Sequence, residues 1–210
     1  MARTSVTQFI KQIYKSEDAS LRKTVFLDRD GVLIEEVSYL SDPSQLHLLP
    51  GVSDGIKKLN TSHIVTIVVT NQPVVARGLA TIRDVKLIND TLADILHKNH
   101  AYINAVYFCP HHPEKDHPDI PAHAMKYRIE CKCRKPKFTM FKKAIKDFNI
   151  NLKTAYLIGD RTVDIKAGEN LGIKTILLET GYGGRDNTYP TAPDYTASDF
   201  SQAVDIIIKT

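Results

Sequence analysis

Several polar residues of this chain lie at the ends of short apolar runs or within a few positions after them, and their side chains could take part in catalysis. They are Asp28, Asp30, Thr70, Asp160 and Asp164. Along an extended backbone, residues two positions apart share a side, so Asp28 and Asp30 face the same way while Arg29 between them points elsewhere. Carboxylates serve as nucleophiles and as general acids or bases, and they are ligands that hard cations prefer. The pattern therefore predicts a phosphate-transfer site rich in carboxylates.

All three cysteines of the chain lie close to a histidine or to each other. One residue separates Cys109 from His111, and one residue separates Cys131 from Cys133. Three cysteines cannot all pair in disulfides, and clustered Cys and His in a reducing cytosol more often bind metal. Zinc prefers this four-coordinate mixture, and four protein ligands leave no open position. The sequence therefore predicts a structural zinc site, and three other histidines remain as alternative ligands: His112, His117 and His123.

The elements that must position these side chains have the hydrophobic pattern of an α/β fold. Runs rich in Val, Ile and Leu predict strands buried on both faces at 24–28, 64–70, 104–109, 154–160 and 174–179. Helical spacing of apolar residues between these runs predicts helices at 52–60, 81–98, 138–148, 163–170 and 198–208. Thr81 and Asp84 are placed as a capping pair for one helix, and Asp199 stands near the start of the last. This alternation indicates a doubly wound parallel sheet.

The predicted strand ends coincide with the candidate catalytic residues. In an open parallel sheet, ligands bind beyond the carboxyl ends of the strands. Asp28, Thr70 and Asp160 each fall at such an end. A lone Asp-x-Asp also occurs in turns, but three polar strand ends in one sheet are much more specific. We therefore expect these three side chains to meet in one site.

The chain has the size and composition of one packed domain preceded by an extension. It has 210 residues, of which 42% are hydrophobic and 25% charged. We expect the domain to cover residues 24–210, with a zinc-bound loop at about 109–133. Residues 1–23 form the extension, and apolar residues at helical spacing over 4–16 predict either an amphipathic helix or a loosely held extension.

Charge and hydropathy narrow the class of function. The net charge of +4 suits an anionic ligand, but no basic run interleaved with aromatic residues indicates nucleic-acid binding. No apolar segment is long enough to span a bilayer, and residues 1–20 lack the apolar centre of a secretory signal. We therefore expect a cytoplasmic monomer that binds a small anionic molecule, without a nucleic-acid or membrane partner.

Four segments resemble the signature motifs of the haloacid dehalogenase (HAD) superfamily, in the expected order. They are Phe-Leu-Asp28-Arg-Asp30-Gly-Val, Val-Val-Thr70-Asn-Gln, Arg134-Lys135-Pro and Ile-Gly-Asp160-Arg-Thr-Val-Asp164. The resemblance covers about residues 24–181 and implies a HAD-like, Rossmann-type sheet. It implies that Asp28 is a nucleophile that forms an aspartyl-phosphate. It also implies that Asp30 protonates the departing alkoxide as a general acid and then activates water as a general base.

The same resemblance implies a catalytic Mg²⁺ ion and a set of phosphate-binding groups. Asp28, Asp160 and the backbone carbonyl of Asp30 would hold the ion, and Asp164 would support the metal site. The groups that would bind the transferred phosphate are Thr70, Asn71 and the positively charged Lys135.

Three further patterns resemble a narrower family, the D-glycero-D-manno-heptose 1,7-bisphosphate 7-phosphatases, and their relatives the histidinol-phosphate phosphatases. They are Cys109-Pro-His-His-Pro, Cys131-Lys-Cys-Arg-Lys-Pro and Asn71-Gln-x-x-x-Ala-Arg-Gly. The resemblance implies a fold without a large cap domain, and it selects His111 rather than His112 as the zinc ligand. It implies substrate contacts from Glu36, Val37, Ser38, Tyr39, Thr70, Asn71, Gln72, Pro73, Arg134, Lys135 and Arg161.

Three of these contacts are basic, namely Arg134, Lys135 and Arg161, and one loop departs from the family pattern. Arg134 follows the zinc ligands, and its planar guanidinium could bind a second phosphate through two hydrogen bonds. Arg161 stands where the family usually has Lys. The sequence Gln72-Pro-Val-Val-Ala-Arg-Gly replaces the usual Gln-Ser-Gly-Ile-Ala-Arg-Gly. Pro73 removes a backbone N–H donor, and Val74 replaces a flexible glycine.

The resemblance thus implies a Mg²⁺-dependent phosphatase that removes the 7-phosphate of a heptose 1,7-bisphosphate, a step towards nucleotide-activated heptose for lipopolysaccharide and other surface glycans. The alternative within the same chemistry is a histidinol-phosphate phosphatase. Alternatives of other classes are a polynucleotide 3'-phosphatase and a non-catalytic binding protein. The Cys and His spacing does not match a nucleic-acid-binding finger, and the intact pair Asp28 and Asp30 argues against a non-catalytic protein.

Overall fold

A mixed sheet forms the centre of the structure, a computed structural model that describes residues 9–113 and 120–210. The strands are β1 (Ile10–Ile13), β2 (Thr24–Leu27), β3 (Val65–Asn71), β4 (Ala105–Cys109), β5 (Ala155–Gly159), β6 (Lys174–Leu178) and β7 (Tyr195–Ala197). Within the described residues they form one seven-stranded sheet in the order β1-β4-β3-β2-β5-β6-β7. Neighbouring strands run parallel except β1, which is antiparallel to β4. The predicted doubly wound sheet is confirmed, with one added antiparallel strand.

Helices cover both faces of this sheet. They are α1 (Val52–Thr61), α2 (Ile82–Lys98), α3 (Thr139–Phe148), α4 (Thr162–Leu171) and α5 (Phe200–Lys209). Buried side chains of α1, α2 and α5 pack in one apolar core, and those of α3 pack in a second core on the other face. Along β2, Val25 and Leu27 point into the first core and Phe26 into the second. Because both faces are covered, the strand reads as a continuous apolar run.

Local sequence signals determine where several helices begin and end. The Thr81 side chain accepts a hydrogen bond from the Asp84 backbone N–H at 3.2 Å, and Asp84 accepts one from the Thr81 N–H at 2.8 Å. The predicted capping pair is therefore confirmed. Asp199 caps α5 by accepting from the Gln202 N–H at 2.8 Å. Helix α4 ends at Gly172, whose backbone is left-handed.

The N-terminal segment contains a strand instead of the predicted helix. Ile10 lies opposite Phe108, and Ile13 lies opposite Ala105, in the antiparallel pair of β1 and β4. Without β1, the outer edge of β4 would leave its N–H and C=O groups unpaired, and the pairing satisfies them. Half-buried and exposed residues alternate along β1, as expected of an edge strand. The helix predicted over 4–16 is therefore wrong for residues 10–13, and residues 1–8 lie outside the described part.

The strand order places the carboxyl ends of β2, β3 and β5 side by side. Leu27 of β2 pairs with Val68 of β3 on one side and with Ile158 of β5 on the other. The chain runs outward from β2 to β4 and then returns through α3 to β5, next to its starting point. Such a reversal is the switch point at which open α/β sheets bind ligands. As predicted, the described residues between these strands contain no inserted cap domain.

None of the helices in residues 9–113 and 120–210 combines the length and the apolar character that crossing a membrane requires.

Candidate active site

Three carboxylates meet at the carboxyl ends of β2 and β5. One oxygen from each of Asp28, Asp160 and Asp164 lies within 4.8 Å of the others, and all three residues are buried. Asp28 directly follows β2, Asp160 directly follows β5, and Asp164 lies in the first turn of α4. Asp28 and Asp30 line a cavity of about 410 Å³ above this cluster. The structure thus brings together the acidic residues that the sequence singled out.

Lys135 offsets part of this negative charge. Its Nζ lies 2.9 Å from Asp28 Oδ1 and 2.7 Å from Asp164 Oδ1, and its side chain is 1% exposed. Burial acts to lower the pKa of Lys135, but the charges of Asp164 and Asp28 outweigh it, so the pKa lies above its ordinary value. The lysine therefore stays charged beside the carboxylate that is predicted to attack the phosphate.

Asn71 holds the backbone of this lysine. Asn71 Oδ1 accepts from the Lys135 N–H at 2.9 Å, and Asn71 Nδ2 donates to the Lys135 carbonyl at 3.3 Å. The sequence predicted that Asn71 binds phosphate, and the residue does line the cavity. Its side-chain amide, however, is engaged by the Lys135 backbone through both its oxygen and its nitrogen.

Asp160 has the surroundings of a cation ligand. Its Oδ2 accepts from the Tyr182 N–H at 2.8 Å, while its buried Oδ1 has no hydrogen-bond partner among the described residues. Gly31 and Gly181 make room for this carboxylate, because a Cβ at either position would collide with Asp160 Oδ2. Both glycines also have positive φ. A buried oxygen without a partner, beside further carboxylates, fits a hard divalent cation such as Mg²⁺.

This geometry predicts a pH dependence of stability and of Mg²⁺ binding. Burial, with the charges of Asp164 and Asp28, raises the pKa of Asp160 to about 8 in the absence of a cation. Because the folded pKa lies above the ordinary value of 3.8, the folded protein retains a proton that the unfolded chain releases. Stability from this group is thus lost as pH rises towards about 8. We expect the rise in Tm caused by Mg²⁺ to grow over the same interval.

Thermal melts at about pH 5 and about pH 8, with and without Mg²⁺, measure this effect. The Asp160→Asn variant is the control, and it should lose most of the Mg²⁺-dependent shift at the higher pH. A Mg²⁺ shift of equal size at both pH values would contradict the prediction.

Asp30 is held by the residue before it. Arg29 donates from Nε to Asp30 Oδ2 at 3.2 Å and from Nη2 to Oδ1 at 3.0 Å. Gln72 Nε2 donates to the same Oδ2 at 2.8 Å. The prediction that Arg29 points away from the acidic pair is therefore wrong, since its fully buried side chain turns back onto Asp30. A buried guanidinium needs a carboxylate partner because water cannot solvate it.

The cysteines and His111 form a second cluster at the end of β4. The ligand atoms of Cys109, His111, Cys131 and Cys133 all lie within 4.8 Å of one another. Cys133 Sγ is 3.1 Å from Cys109 Sγ, and His111 Nδ1 is 3.3 Å from Cys133 Sγ. Zinc–sulfur bonds of about 2.3 Å place two sulfurs of a tetrahedral site about 3.8 Å apart. The three sulfur separations here are 3.1, 3.4 and 3.5 Å, so the donor set fits zinc and the sulfurs would move apart slightly to hold it. Burial raises the pKa of the Cys109 thiol, and a cation would favour the thiolate instead.

Two of the alternative histidine ligands lie elsewhere. His112 lines the cavity described above. His123 is exposed, and His117 lies outside the described residues.

The cysteine cluster positions Arg134 over the cavity. The Arg134 N–H donates to Cys131 Sγ at 3.4 Å, and its Nη1 donates to the His111 carbonyl at 3.3 Å. Burial lowers the pKa of Arg134, and the positive charges of Arg77 and Arg161 add to this effect. These arginines therefore lie close together on the cavity wall, where they favour an anionic ligand.

Aromatic rings orient two of these arginines. Arg161 Cζ lies 3.5 Å from the centroid of the Tyr182 ring, and Arg77 Cζ lies 4.6 Å from that of Tyr39. Tyr39 has a φ of 63°, a strained conformation for a residue other than glycine. Such strain is concentrated at functional sites. The ring of Tyr39 is thus held where it contacts both Arg77 and the cavity.

All of the predicted substrate contacts line this one cavity: Glu36, Val37, Ser38, Tyr39, Thr70, Asn71, Gln72, Pro73, Arg134, Lys135 and Arg161. Burial, together with the charge of Asp30, raises the pKa of Glu36 to about 7. The loop that departs from the family pattern keeps a compact turn, because Val74 is buried and the Arg77 N–H donates to the Pro73 carbonyl at 2.9 Å. The loss of one donor at Pro73 therefore does not open this loop.

Sequence analysis missed several residues of the cavity wall: Leu40, Val74, Arg77, His112, Val163, Tyr182, Asp186, Thr188 and Tyr189. Arg77 lies within a motif that was noticed but not assigned a role. Tyr182 and Asp186 belong to the segment after β6, in which the sequence predicted no site residue. Asp186 accepts hydrogen bonds from the Thr162 N–H at 2.8 Å and hydroxyl at 2.7 Å, which hold that loop against α4. Tyr182 could have been predicted as a residue of the site, because it lies shortly after the carboxyl end of the parallel strand β6.

The parallel sheet, the acidic cluster at its switch point and the buried lysine define a HAD-like hydrolase. A family model described as HAD-hyrolase-like matches residues 132–203. The D-glycero-D-manno-heptose-1,7-bisphosphate 7-phosphatase of Thermosynechococcus vestitus is 35% identical over 191 residues, which are 89% of this chain and 95% of the relative. The D-glycero-beta-D-manno-heptose-1,7-bisphosphate 7-phosphatase of Haemophilus ducreyi is 34% identical over 162 residues, which are 76% and 85% of the two chains.

A solved structure has the same fold. The D,D-heptose 1,7-bisphosphate phosphatase of B. bronchiseptica, complexed with magnesium and phosphate, superposes with a TM-score of 0.76 at 24% identity. The match covers 89% of this chain and 98% of that one. On these similarities, the chain belongs to the HAD-like family of D-glycero-D-manno-heptose-1,7-bisphosphate 7-phosphatases.

Proposed function

We propose that this protein is a Mg²⁺-dependent phosphatase that hydrolyses the 7-phosphate of D-glycero-D-manno-heptose 1,7-bisphosphate. One observation carries the proposal. A single cavity has Asp28 with its charged partner Lys135 on one side and the guanidinium groups of Arg77, Arg134 and Arg161 on its wall. The first part suits transfer of a phosphate, and the second suits binding of another phosphate. The names of the relatives supply the identity of the sugar.

Asp28 is the nucleophile in this proposal. Its Oδ1 accepts from the Arg29 N–H at 2.8 Å, which fixes the carboxylate and leaves Oδ2 to attack the phosphorus. The attack forms an aspartyl-phosphate and breaks the bond from phosphorus to the sugar oxygen, which takes a proton from Asp30. Asp30, now ionised, then takes a proton from water, and the resulting hydroxide displaces phosphate from Asp28. Both acids return to their starting states.

The positive charge at this site comes from the protein and from a cation. Lys135 keeps a permanent charge beside Asp28 and the transferred phosphate. A bound Mg²⁺ would screen the carboxylate from the anionic substrate and neutralise charge in the transition state. Asp28, Asp160 and the backbone carbonyl of Asp30 would hold it. Asp164 supports the site by holding Lys135 in place.

Zinc has a structural role in the proposal. Its four protein ligands leave no position for substrate, and the cluster holds the backbone of Arg134. We propose further that the enzyme acts as a monomer in the cytoplasm. A reducing compartment would keep the three cysteines, which form no disulfide in the described structure, available for zinc.

A panel of substrates with Mg²⁺ tests the proposed function. It contains both anomers of the heptose 1,7-bisphosphate, the heptose 7-phosphate and histidinol phosphate, and phosphate release is measured. We expect kcat/KM to be highest for a bisphosphate, by about 10²-fold or more, because each charged hydrogen bond to the second phosphate contributes about 1.5–3 kcal/mol. A preference for histidinol phosphate would refute the assigned substrate. Absence of turnover with every compound would refute the phosphatase.

Arg134→Ala should raise the KM for the bisphosphate by about 10- to 100-fold, because it removes a charged contact with the second phosphate. The kinetics with p-nitrophenyl phosphate, which has no second phosphate, should change little. Arg185→Ala is the matched control, because Arg185 is exposed, lies on a nearby loop and does not line the cavity. Equal losses with both substrates would show that Arg134 does not recognise the second phosphate.

A further inference from the structure

We infer that Gln12 of strand β1 helps to position the proposed general acid, because hydrogen bonds running from Gln12 through Asn89 and Arg29 hold the orientation of Asp30. The inference rests on the proposed role of Asp30 as general acid and base. It assigns a positioning function to the N-terminal segment, whose purpose the sequence left open. The residues that transmit the constraint lie outside the substrate contacts described above.

Arg29 is the centre of this network. Its side chain is fully buried, and its Nε and Nη2 bind the two oxygens of Asp30 as a fork. Nη2 also donates to Gln72 Oε1 at 2.9 Å, and Nη1 donates to Asn89 Oδ1 at 2.9 Å. A planar guanidinium that is held on both edges cannot rotate, and two parallel N–H bonds fix the plane of the bound carboxylate. Asp30 therefore takes its orientation from Arg29.

Asn89 connects Arg29 with β1. It is fully buried on α2, and because its oxygen accepts from Arg29, its nitrogen is left as the donor. That nitrogen donates to Gln12 Oε1 at 2.9 Å. Gln12 Nε2 donates in turn to the Lys86 carbonyl at 3.1 Å and to Asp90 Oδ1 at 2.8 Å. The side-chain amides of Asn89 and Gln12 each accept a hydrogen bond on the oxygen and donate from the nitrogen. The orientation of both amide groups is therefore determined.

A second contact, from the residue that follows β1, reaches the same part of α2. Tyr14 Oη donates to Asp90 Oδ1 at 2.9 Å, on the oxygen that Gln12 also binds. Lys11, between Ile10 and Gln12, faces the other side of the sheet and pairs with Asp147 at 2.9 Å. The strand therefore presents Gln12 to the network from a backbone that is held on both sides.

Packing alone does not account for this arrangement. A buried charge is costly to desolvate, and apolar side chains of similar volume often stabilise a core more than a buried ion pair does. Among the described residues, the carboxylate paired with Arg29 is that of Asp30, the predicted acid catalyst. The buried guanidinium of Arg29 therefore pairs with the carboxyl group of Asp30, whose orientation matters in the proposed reaction.

Leaving-group dependence tests the inference. A sugar alkoxide needs a proton from the general acid, whereas p-nitrophenolate leaves without one. We use kcat/KM, which reports the steps up to leaving-group release, for the Mg²⁺-loaded full chain. With the heptose bisphosphate, kcat/KM should fall by about 10-fold for Asn89→Leu, a few-fold for Gln12→Leu and about 10²-fold for Arg29→Lys. With p-nitrophenyl phosphate, each variant should stay within about twofold of the unmodified protein.

Lys11→Leu is the matched control, because it lies on the same strand but contacts Asp147 on the opposite side. It should leave both activities unchanged. Equal losses with both substrates in Asn89→Leu and Gln12→Leu would overturn the inference, since they would indicate a purely structural role. Unchanged activity of both variants with the bisphosphate would overturn it as well. These two variants carry the test if Arg29→Lys does not fold, as judged by circular dichroism. An unmodified protein that is inactive on both substrates would instead refute the proposed function.

Discussion

Replacing Asp28 with Asn should lower kcat for the heptose bisphosphate by at least about 10⁴-fold while the protein remains folded. A neutral amide cannot attack phosphorus to form the acyl phosphate, and it removes one charged ligand from the cation site. The fold should persist because Asn has the same shape and can still accept from the Arg29 N–H. Loss of the Asp28 charge also lessens the repulsion felt by buried Asp160. Steady-state kinetics with Mg²⁺ measure the effect, and a thermal melt verifies folding.

Asp194→Asn provides the control for this experiment. Asp194 also binds a backbone N–H, that of Thr175 at 2.8 Å, but it does not line the cavity. The kcat of the Asp194→Asn variant should stay within a few-fold of that of the unmodified protein. If Asp28→Asn retained more than about a tenth of the original kcat, Asp28 could not be the nucleophile.

Replacing Cys133 with Ser should release zinc and damage both stability and substrate binding. Cys133 is fully buried, and its sulfur contacts the sulfurs of Cys109 and Cys131. Structural zinc sites bind the metal through thiolates, so loss of the Cys133 thiolate should release the loop after β4 from the metal. We expect Tm to fall by on the order of 10 °C, as a loss of about 3 kcal/mol would cause in a domain of this size. We also expect kcat/KM to fall by about 10²-fold, because Arg134 and Lys135 directly follow Cys133.

Lys132→Ala is the matched control, since Lys132 is exposed and lies between two of the proposed zinc ligands. It should retain one zinc per chain, with Tm and kcat/KM unchanged. Elemental analysis by mass spectrometry, calorimetry and steady-state kinetics measure the three quantities. A Cys133→Ser protein that still bound one equivalent of zinc and melted at the original temperature would show that the cluster is not a zinc site.

Much of the fold was predictable because its signals are local. The predicted helix at 52–60 is observed as Val52–Thr61, and the predicted strand at 154–160 is observed as Ala155–Gly159. Strands buried on both faces must be continuously apolar, and helix ends must satisfy their free N–H and C=O groups. Each of these requirements acts over a few neighbouring residues. The strand β1 was not predictable in this way, because its pairing partner β4 is distant in sequence.

The residues proposed to carry the chemistry can be identified without a structure. Asp28, Thr70 and Asp160 stand at strand ends, and the Cys and His residues have ligand spacing, whatever the order of the strands. Which of these side chains touch one another becomes known from the folded chain alone. It turns Arg29 onto Asp30, and it engages Asn71 with Lys135. The physical reason is that such contacts join separate elements, and their relative positions follow from the packing of the whole sheet and its two cores.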